Sequence, residues 1–232
     1  MKILTKVIAG CFVLLVGIAV LVQTTTESTF FTSYLPRLLF NNNLAPVVEG
    51  VIYRSAQMDR EQLVQTLNEK KIRTVIDLRA GKDDPDSEGF TEETSTAQAG
   101  VKYLHLPMFA SRVPSQEKML KLLDAMKEAE RPILVHCSSG THRSGVAAAA
   151  WLMEQEGRTP EEAKAQLSSA FGYYPLERKL KAWKQGFPTL DSIIFRYVEA
   201  SKKETISFRE WVKRELPKEE ALPENQSAKL NS

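Results

Sequence analysis

The sequence predicts an α/β domain, with a central, mostly parallel sheet flanked by helices, behind an N-terminal membrane-anchor or signal helix. Three observations carry this expectation. Short β-branched or apolar runs alternate with longer amphipathic runs through the middle of the chain, the pattern of strand–helix–strand crossovers. Ile133-Leu134-Val135 leads into a small-residue loop and then an Ala-rich run over residues 146–153, which reads as a buried strand turning sharply into a helix. An unbroken apolar run, residues 7–22, follows Lys2 and Lys6 at the N-terminus.

The 232 residues, 43% hydrophobic and 26% charged, have the composition of a folded globular protein and suit one main domain with extensions. A formal net charge of +2 gives no reason to expect a nucleic-acid partner. Of the two cysteines, Cys11 lies in the N-terminal run. The domain is therefore left with one thiol, Cys137, without an internal disulfide or a cysteine-built zinc cluster. Neither a metal nor another cofactor is expected.

Basic residues before the run, and a first downstream basic residue only at Arg37, place the N-terminus in the cytoplasm and the remainder outside. The run is slightly short of the about 17–25 residues of a spanning helix. A cleaved secretion signal is the alternative, and the lack of a small-x-small cleavage site favours an uncleaved anchor. The expected location is the inner membrane with a periplasmic domain, or the periplasm itself. Residues 1–23 are thus read as the anchor or signal and 24–46 as a tether, since the Thr/Ser cluster and Asn41-Asn42-Asn43 show no periodicity. Residues 47–216 make the domain, and the polar residues 217–232 read as a disordered tail.

Within the domain, residues 51–54 read as a strand. Asp59 caps a helix that runs to Lys70 with Leu63, Val64 and Leu67 on one face. Residues 72–78 form a β-branched strand ending near Asp77 and Arg79, which read equally as a local ion pair or as groups with a catalytic role, orienting loops. The acidic stretch 80–99 lacks the spacing of a calcium loop and reads as a solvated loop with a short helix. Residues 101–106 form another strand, where His105 reads as a packed or capping histidine. After a loop over 107–114, Ser115 caps a helix with Met119, Leu122, Leu123 and Met126 on one face. A helix over 141–156 ends at Gly157, and Thr159-Pro160 opens the next. Leu180, Trp183 and Phe187, then Ile193, Ile194, Tyr197 and Val198, mark further helices, and residues 208–216 a last amphipathic one.

The chemistry concentrates in Val135-His136-Cys137-Ser138-Ser139-Gly140-Thr141-His142-Arg143-Ser144-Gly145. A strand, a tight loop and a helix start bring backbone N–H groups together where the helix dipole favours an anion. A cysteine in that field ionises more easily than a free thiol, and the thiolate is the nucleophile. Arg143 can hold two phosphate oxygens in a fork. In a parallel-rich sheet the loop falls at the carboxyl end of a central strand, where ligands bind.

Cys137-x5-Arg143-Ser144 resembles the signature of the protein tyrosine phosphatase superfamily, and the compact domain resembles its dual-specificity branch. Ile52-Tyr53-Arg54-Ser55-Ala56, Thr74-Val75-Ile76-Asp77-Leu78-Arg79, Leu106-Pro107 and Arg209-Glu210-Trp211 resemble the secreted or membrane-attached bacterial tyrosine phosphatases. The resemblance covers about residues 47–215. It implies that Cys137 attacks phosphorus to form a phosphocysteine, while Arg143 and the amides of residues 138–143 bind the phosphate oxygens. Ser138, Ser139, Gly140, Thr141 and His142 then line the substrate site. Ser144 assists the departure of the Cys137 thiolate, and His136 supports the loop without acting as a base. The implied partner is a phosphorylated protein or small phosphoester, with phosphotyrosine first and phosphoserine and phosphothreonine open, and residues 7–22 are the expected membrane contact.

One position departs from the family pattern. Aligning Leu106-Pro107 and Arg112 puts Ser111 where the family has an Asp general acid. Three readings stay open: Glu117 or an acidic residue of 83–88 takes that role, the substrate carries a good leaving group, or turnover is slow. The alternatives are therefore a low-turnover phosphate-binding pseudophosphatase and a phosphatase for a non-protein phosphoester such as an inositol phosphate. A rhodanese-type sulfurtransferase also uses a loop cysteine but lacks this Cys-x5-Arg-Ser pattern. General acid catalysis is typically worth about 10²–10⁴-fold. Ser111→Asp is therefore expected to raise turnover for substrates with poor leaving groups, measured on a panel of phosphopeptides, inositol phosphates and an aryl phosphate; no gain would place the acid elsewhere.

Overall fold

The computed structural model describes residues 41–81 and 91–219. The expected anchor at 7–22, the tether up to residue 40, the acidic residues 83–88 and the tail from 220 onward lie outside the described residues. Among the described residues, no helix is long and apolar enough to cross a membrane.

Five strands form one mixed sheet in the order β1-β2-β5-β3-β4: β1 (Ala45–Val48), β2 (Ile52–Ser55), β3 (Thr74–Asp77), β4 (Lys102–His105) and β5 (Ile133–His136). The pairings β2–β5, β5–β3 and β3–β4 are parallel, and β1 runs antiparallel to β2 at the edge. The strand expected to carry the loop is therefore the middle one. Register places Ser55 and Asp77 on either side of His136, the residue before Cys137.

Alternation along the strands sends neighbouring side chains to opposite faces. Tyr53, Val75 and Leu134 join Leu63 and Leu67 of α1 (Arg60–Glu69) in a smaller cluster on one face. Ile52, Ile76, Ile133 and Val135 join the main core on the other. There α3 (Gln116–Glu128) supplies Met119, Leu122, Leu123 and Met126, as its spacing predicts. Between β3 and β4, α2 (Glu92–Gln98) is held by a Thr91 capping box. Helix α4 (Arg143–Gln155) follows the loop, and its Ala147, Ala148, Ala149 and Ala150 are fully buried. Small side chains let this helix approach its neighbours closely. Beyond it come α5 (Pro160–Ala163), α6 (Pro175–Gln185), α7 (Ser192–Ser201) and α8 (Phe208–Glu215). Tyr197 meets Phe208 edge-on and Trp211 at a tilt, joining α7 to α8, where Phe208 and Trp211 stack on each other.

The structure differs from the sequence expectations in three places. The tether assignment reaches too far, because Ala45–Val48 is an edge strand and Asn43 is fully buried. Pro46 hides this strand, since proline is tolerated only where a ladder donor is dispensable, as at an edge. Helix α4 starts at Arg143, two residues after the expected start, because Thr141 and His142 belong to the loop. In α6, the apolar spacing of Leu180 and Trp183 marks a helix correctly, but those side chains face solvent.

Candidate active site

The loop from Cys137 to His142 leaves β5 and enters α4. Each of the first four carbonyls after the cysteine is held by a donor outside the loop. Ser138 O accepts from Gln57 N at 3.4 Å. The amide of Asn43 donates to Ser139 O at 3.1 Å, Gly140 O at 3.2 Å and Phe171 O at 3.3 Å. Arg54 Nη2 donates to Gly140 O at 2.7 Å and Thr141 O at 3.1 Å, while Nη1 donates to Gln166 O at 2.6 Å. A trans peptide unit points its C=O and N–H in opposite directions. Anchoring the carbonyls of residues 138–141 on the outside therefore turns the amides of residues 139–142 toward the inside. Among the described residues, no backbone carbonyl accepts from those amides, and the Ser139 amide faces the Cys137 sulfur.

Two glycines make this packing possible. Gly140 adopts φ +68°, and a Cβ there would lie 2.6 Å from Ala56 N and 2.7 Å from the carbonyl carbon of Ser55. At Gly145 a Cβ would meet Leu167 at 2.8 Å and Arg54 Nη2 at 3.1 Å. The loop thus lies directly on the end of β2, which carries Arg54.

Cys137 Sγ is buried at the floor, 3.6 Å from Ser144 Oγ. Burial pushes the thiol pKa up, but the Arg143 guanidinium, the Ser144 amide and hydroxyl and the Ser139 amide outweigh it, so the net shift is downward. The Arg143 guanidinium is tied to the protein through Nη1 to Leu78 O at 3.2 Å and Met108 O at 3.3 Å, and through Nη2 to Ser138 Oγ at 2.9 Å. Its Nε is buried without a protein acceptor among the described residues. Cys137, Arg143, Ser144 and Ser138, Ser139, Gly140, Thr141 and His142 are thus brought together around one centre.

Behind the loop lies a buried charge network. Arg79 binds Asp77 through Nε at 3.0 Å and Nη2 at 2.7 Å, and reaches Glu92 at 2.7 Å through the same Nη2. Tyr103 donates to Asp77 at 2.8 Å. His136 Nε2 is 2.8 Å from Glu92 Oε1 and 3.7 Å from Asp77 Oδ1. Burial pulls the His136 pKa down, but Glu92 and Asp77 outweigh both burial and Arg79, and the net shift is upward. Asp77 is held below the usual carboxylate range: burial opposes this, and Arg79 and His136 overcome it. Asp77, Glu92 and His136 place one ligand-type atom each within 4.8 Å of one another, the set best suited to a metal among the described residues. Arg79 and the His136 ring, whose pKa is shifted upward, already engage its two carboxylates.

A second buried group borders the rim. Arg178 pairs with Asp191 at 2.7 and 2.8 Å, Tyr173 donates to Asp191 at 2.7 Å, and Arg178 also donates to Ala110 O. Tyr173 meets the His142 ring edge-on, with centroids 5.8 Å apart. Burial, with Arg178 next and Lys181 and Arg143 behind it, outweighs Asp191 and pushes His142 down to about 4, so its imidazole is neutral at pH 7. Ser111 follows Ala110 in the loop after β4, with its carbonyl accepting from Gln185 Nε2 at 2.6 Å. Glu117 lies instead along the groove between α3 and β4 with Lys102, Leu104 and Asp124, and Asp83, Asp84, Asp86 and Glu88 lie outside the described residues. His105 Nε2 sits 2.8 Å from Arg79 O, in keeping with a packed role.

Sequence reasoning missed Asn43, Arg54 and Glu92. Arg54 gave a signal, since a charged residue inside an apolar strand run is buried only when partnered. Asn43 and Glu92 gave none, because asparagine in a polar segment and glutamate in an acidic one look solvated.

The family described as a dual-specificity-type phosphatase (DSP-PTPase) fused to NAD+ kinase matches residues 40–182, more than half of the chain. The chain belongs to that family. It is 31% identical over 138 residues to the dual specificity protein phosphatase TpbA of Pseudomonas aeruginosa, covering 58% of each protein. It is 30% identical over 99 residues to the tyrosine-protein phosphatase cdc-14 of Caenorhabditis elegans, covering 43% of this chain and 13% of that protein. The match therefore spans a little over half the length of TpbA. The crystal structure of P. aeruginosa TpbA is 26% identical with a TM-score of 0.49, over 69% of this chain and 91% of that one.

Two outcomes follow from this geometry. Asn43→Ala removes one donor from each of three carbonyls, which keep Arg54 or Thr141 as a second donor, at a cost of about 0.5–1.5 kcal/mol for each hydrogen bond lost. It should lower Tm and reduce kcat on an aryl phosphate more than it raises KM. Raised in the fold, the His136 pKa makes a stability contribution that is complete below the ordinary histidine value of 6.5 and lost as pH rises through the folded value. Melting temperatures from pH about 5 to about 9 should fall through that window, and Glu92→Gln should flatten the fall.

Proposed function

We propose that the chain is a cysteine-dependent phosphatase that hydrolyses phosphotyrosine through a phosphocysteine intermediate. The observation that carries this is the buried Cys137 sulfur with its lowered pKa beneath a set of inward amides and the Arg143 guanidinium. The name of the TpbA relative supports the substrate class, since that protein is called a dual specificity protein phosphatase.

In this mechanism the Cys137 thiolate attacks phosphorus in line with the ester oxygen. The S–P bond forms as the P–O bond to the leaving group breaks, and the leaving oxygen departs as an aryloxide or takes a proton. Water then attacks the phosphocysteine, the P–S bond breaks, and the thiolate is regenerated with inorganic phosphate. The transition state is loose, so positioning and charge stabilisation supply most of the rate. Arg143 and the amides of residues 139–142 hold the equatorial oxygens. Ser144 Oγ, 3.6 Å from Sγ, donates to the sulfur as it leaves. His136 and Glu92 act from behind the loop as positioning residues.

Protonation of the leaving group is where this chain departs from the pattern that the resemblance implies. Ser111 is a poor acid at neutral pH. The carboxylates drawn in beside the loop, Asp77, Glu92 and Asp191, are each engaged by an arginine, and His142 is neutral. The reaction therefore suits a substrate whose leaving oxygen departs with little help, as a phenol does, or an acid contributed from residues 83–88. The second reading, a phosphate-binding module with little turnover, rests on the same serine. A small phosphoester such as an inositol phosphate is the alternative substrate.

The apolar run at 7–22 is proposed to anchor the chain in the inner membrane with the domain on the periplasmic side, or to direct secretion there. The remaining site assignments, Ser138, Ser139, Gly140, Thr141 and His142 as the substrate cradle, belong to the same proposal.

Phosphate release from an aryl phosphate and from phosphotyrosine peptides should be abolished in Cys137→Ser. Arg143→Lys, which keeps the charge but loses the fork, should lower kcat/KM by at least about tenfold. Ordinary turnover surviving in Cys137→Ser would remove the enzyme reading, and tight phosphopeptide binding without turnover in the unaltered protein would favour the binding module.

A further inference from the structure

Among the described residues, the large apolar side chains left exposed lie on two elements beside the catalytic loop. Phe109, 40% exposed, is on the loop after β4, and Leu176, Leu180 and Trp183, at 79%, 47% and 78%, are on α6. The two elements are joined by Arg178 to Ala110 O and by Gln185 to Ser111 O. Helix α6 is inverted relative to an ordinary surface helix, which turns its apolar stripe to the core. Its one buried residue is Arg178, locked to Asp191. Leu176, Leu180 and Trp183, spaced i, i+4 and i+7, form one outward stripe. Lys179 and Lys184 flank that stripe, and Lys181 lies toward His142. Among the described residues, no ion pair engages these three lysines.

We propose that this face of α6, with Phe109 beside it, docks on the surface of an anionic lipid bilayer. A short helix with leucine and tryptophan along its centre and lysines on both flanks has the composition of helices that lie in the membrane interface. Tryptophan favours that depth. Lysines can lay their stems along the apolar surface while their ammonium groups meet anionic headgroups. The stripe is too small for a stable pairing of two copies. Three apolar residues on an 11-residue helix fall far short of the about 800 Å² per partner of a standard interface. The sequence outside the described residues fits the same occupant. Residues 23–40 separate the apolar run 7–22 from Asn41 and can span up to about 60 Å when extended, enough for the domain to lie on the bilayer that the run would enter.

The test reads Trp183 itself, so it is independent of the catalytic reading and of how the N-terminal run inserts. Trp151 and Trp211 are buried, and Trp183 is exposed. The full chain is reconstituted into vesicles of phosphatidylcholine alone and of phosphatidylcholine with phosphatidylglycerol, and its tryptophan emission is titrated with acrylamide. On the anionic vesicles the Trp183 signal, identified by its loss in Trp183→Phe, should shift to the blue and become several-fold less quenchable. In Leu176→Gln/Leu180→Gln that protection should disappear while hydrolysis of a soluble aryl phosphate is unchanged. Four results would each overturn the proposal: equal quenching with and without anionic lipid; equal protection on neutral and anionic vesicles; protection that grows with protein concentration without lipid, which would mean a second copy; or protection lost on deleting residues 7–22 in lipid-free solution, which would mean that the chain's own apolar run covers the stripe.

Discussion

The outward anchoring of four consecutive carbonyls is the constraint on which the site depends. Unaided, the loop between β5 and α4 would satisfy its own peptide groups with turns or with water. Here Gln57, Asn43 and Arg54 take the oxygens of residues 138–141, and peptide planarity points the next amides inward. Arg54 is the costliest part of this arrangement, a fully buried guanidinium in the middle of a sheet. Its charge is met by carbonyl dipoles and by the Phe171 ring 4.1 Å below it. Such a group is retained where carbonyl oxygens meet its Nη donors. Phe171 and Gln166, from the segments after α5, are therefore part of the loop's scaffold although distant in sequence.

A second constraint follows from the sheet order. Because β5 is central, the two strands beside it can both support the loop, and they do so differently. On the β2 side, Ser55 and Ala56 form a wall so close that only glycine fits at position 140. On the β3 side, Asp77 opens a chain of buried charges through Arg79 and Glu92 to His136. The first fixes where the loop lies, and the second holds the His136 imidazole beneath it. Arg143 closes the circle by borrowing Leu78 O at the end of β3 and Met108 O after β4, so two of the groups that position the anion-binding guanidinium are backbone atoms beyond the carboxyl ends of these strands, with Ser138 Oγ as the third.

Much of this was legible in the sequence because strands, caps and the loop signature are local. The Met119/Leu122/Leu123/Met126 face, the β-branched Thr74-Val75-Ile76 run and the Cys137–Arg143 spacing each carry their meaning within a dozen residues. What escaped is non-local. Asn43 lies 96 residues from Ser139, and its role depends on a pairing of β1 with β2 that Pro46 disguises. Glu92 looks like one more solvated acid until His136 is placed beside it. The exposed stripe on α6 was read correctly as helical, but spacing alone cannot say which way a helix faces. Arg178 decides that, by committing the opposite side to Asp191.

All of these parts act on a single atom, the Cys137 sulfur, which the cradle must keep ionised. The most direct measurement is the rate of Cys137 alkylation by iodoacetamide as a function of pH, followed on the Cys137 peptide by mass spectrometry so that Cys11 does not interfere. The account predicts a rate whose midpoint lies below the ordinary thiol pKa and moves upward in Arg143→Ala. A rate that climbs through the ordinary thiol range in both proteins, with no difference between them, would contradict it.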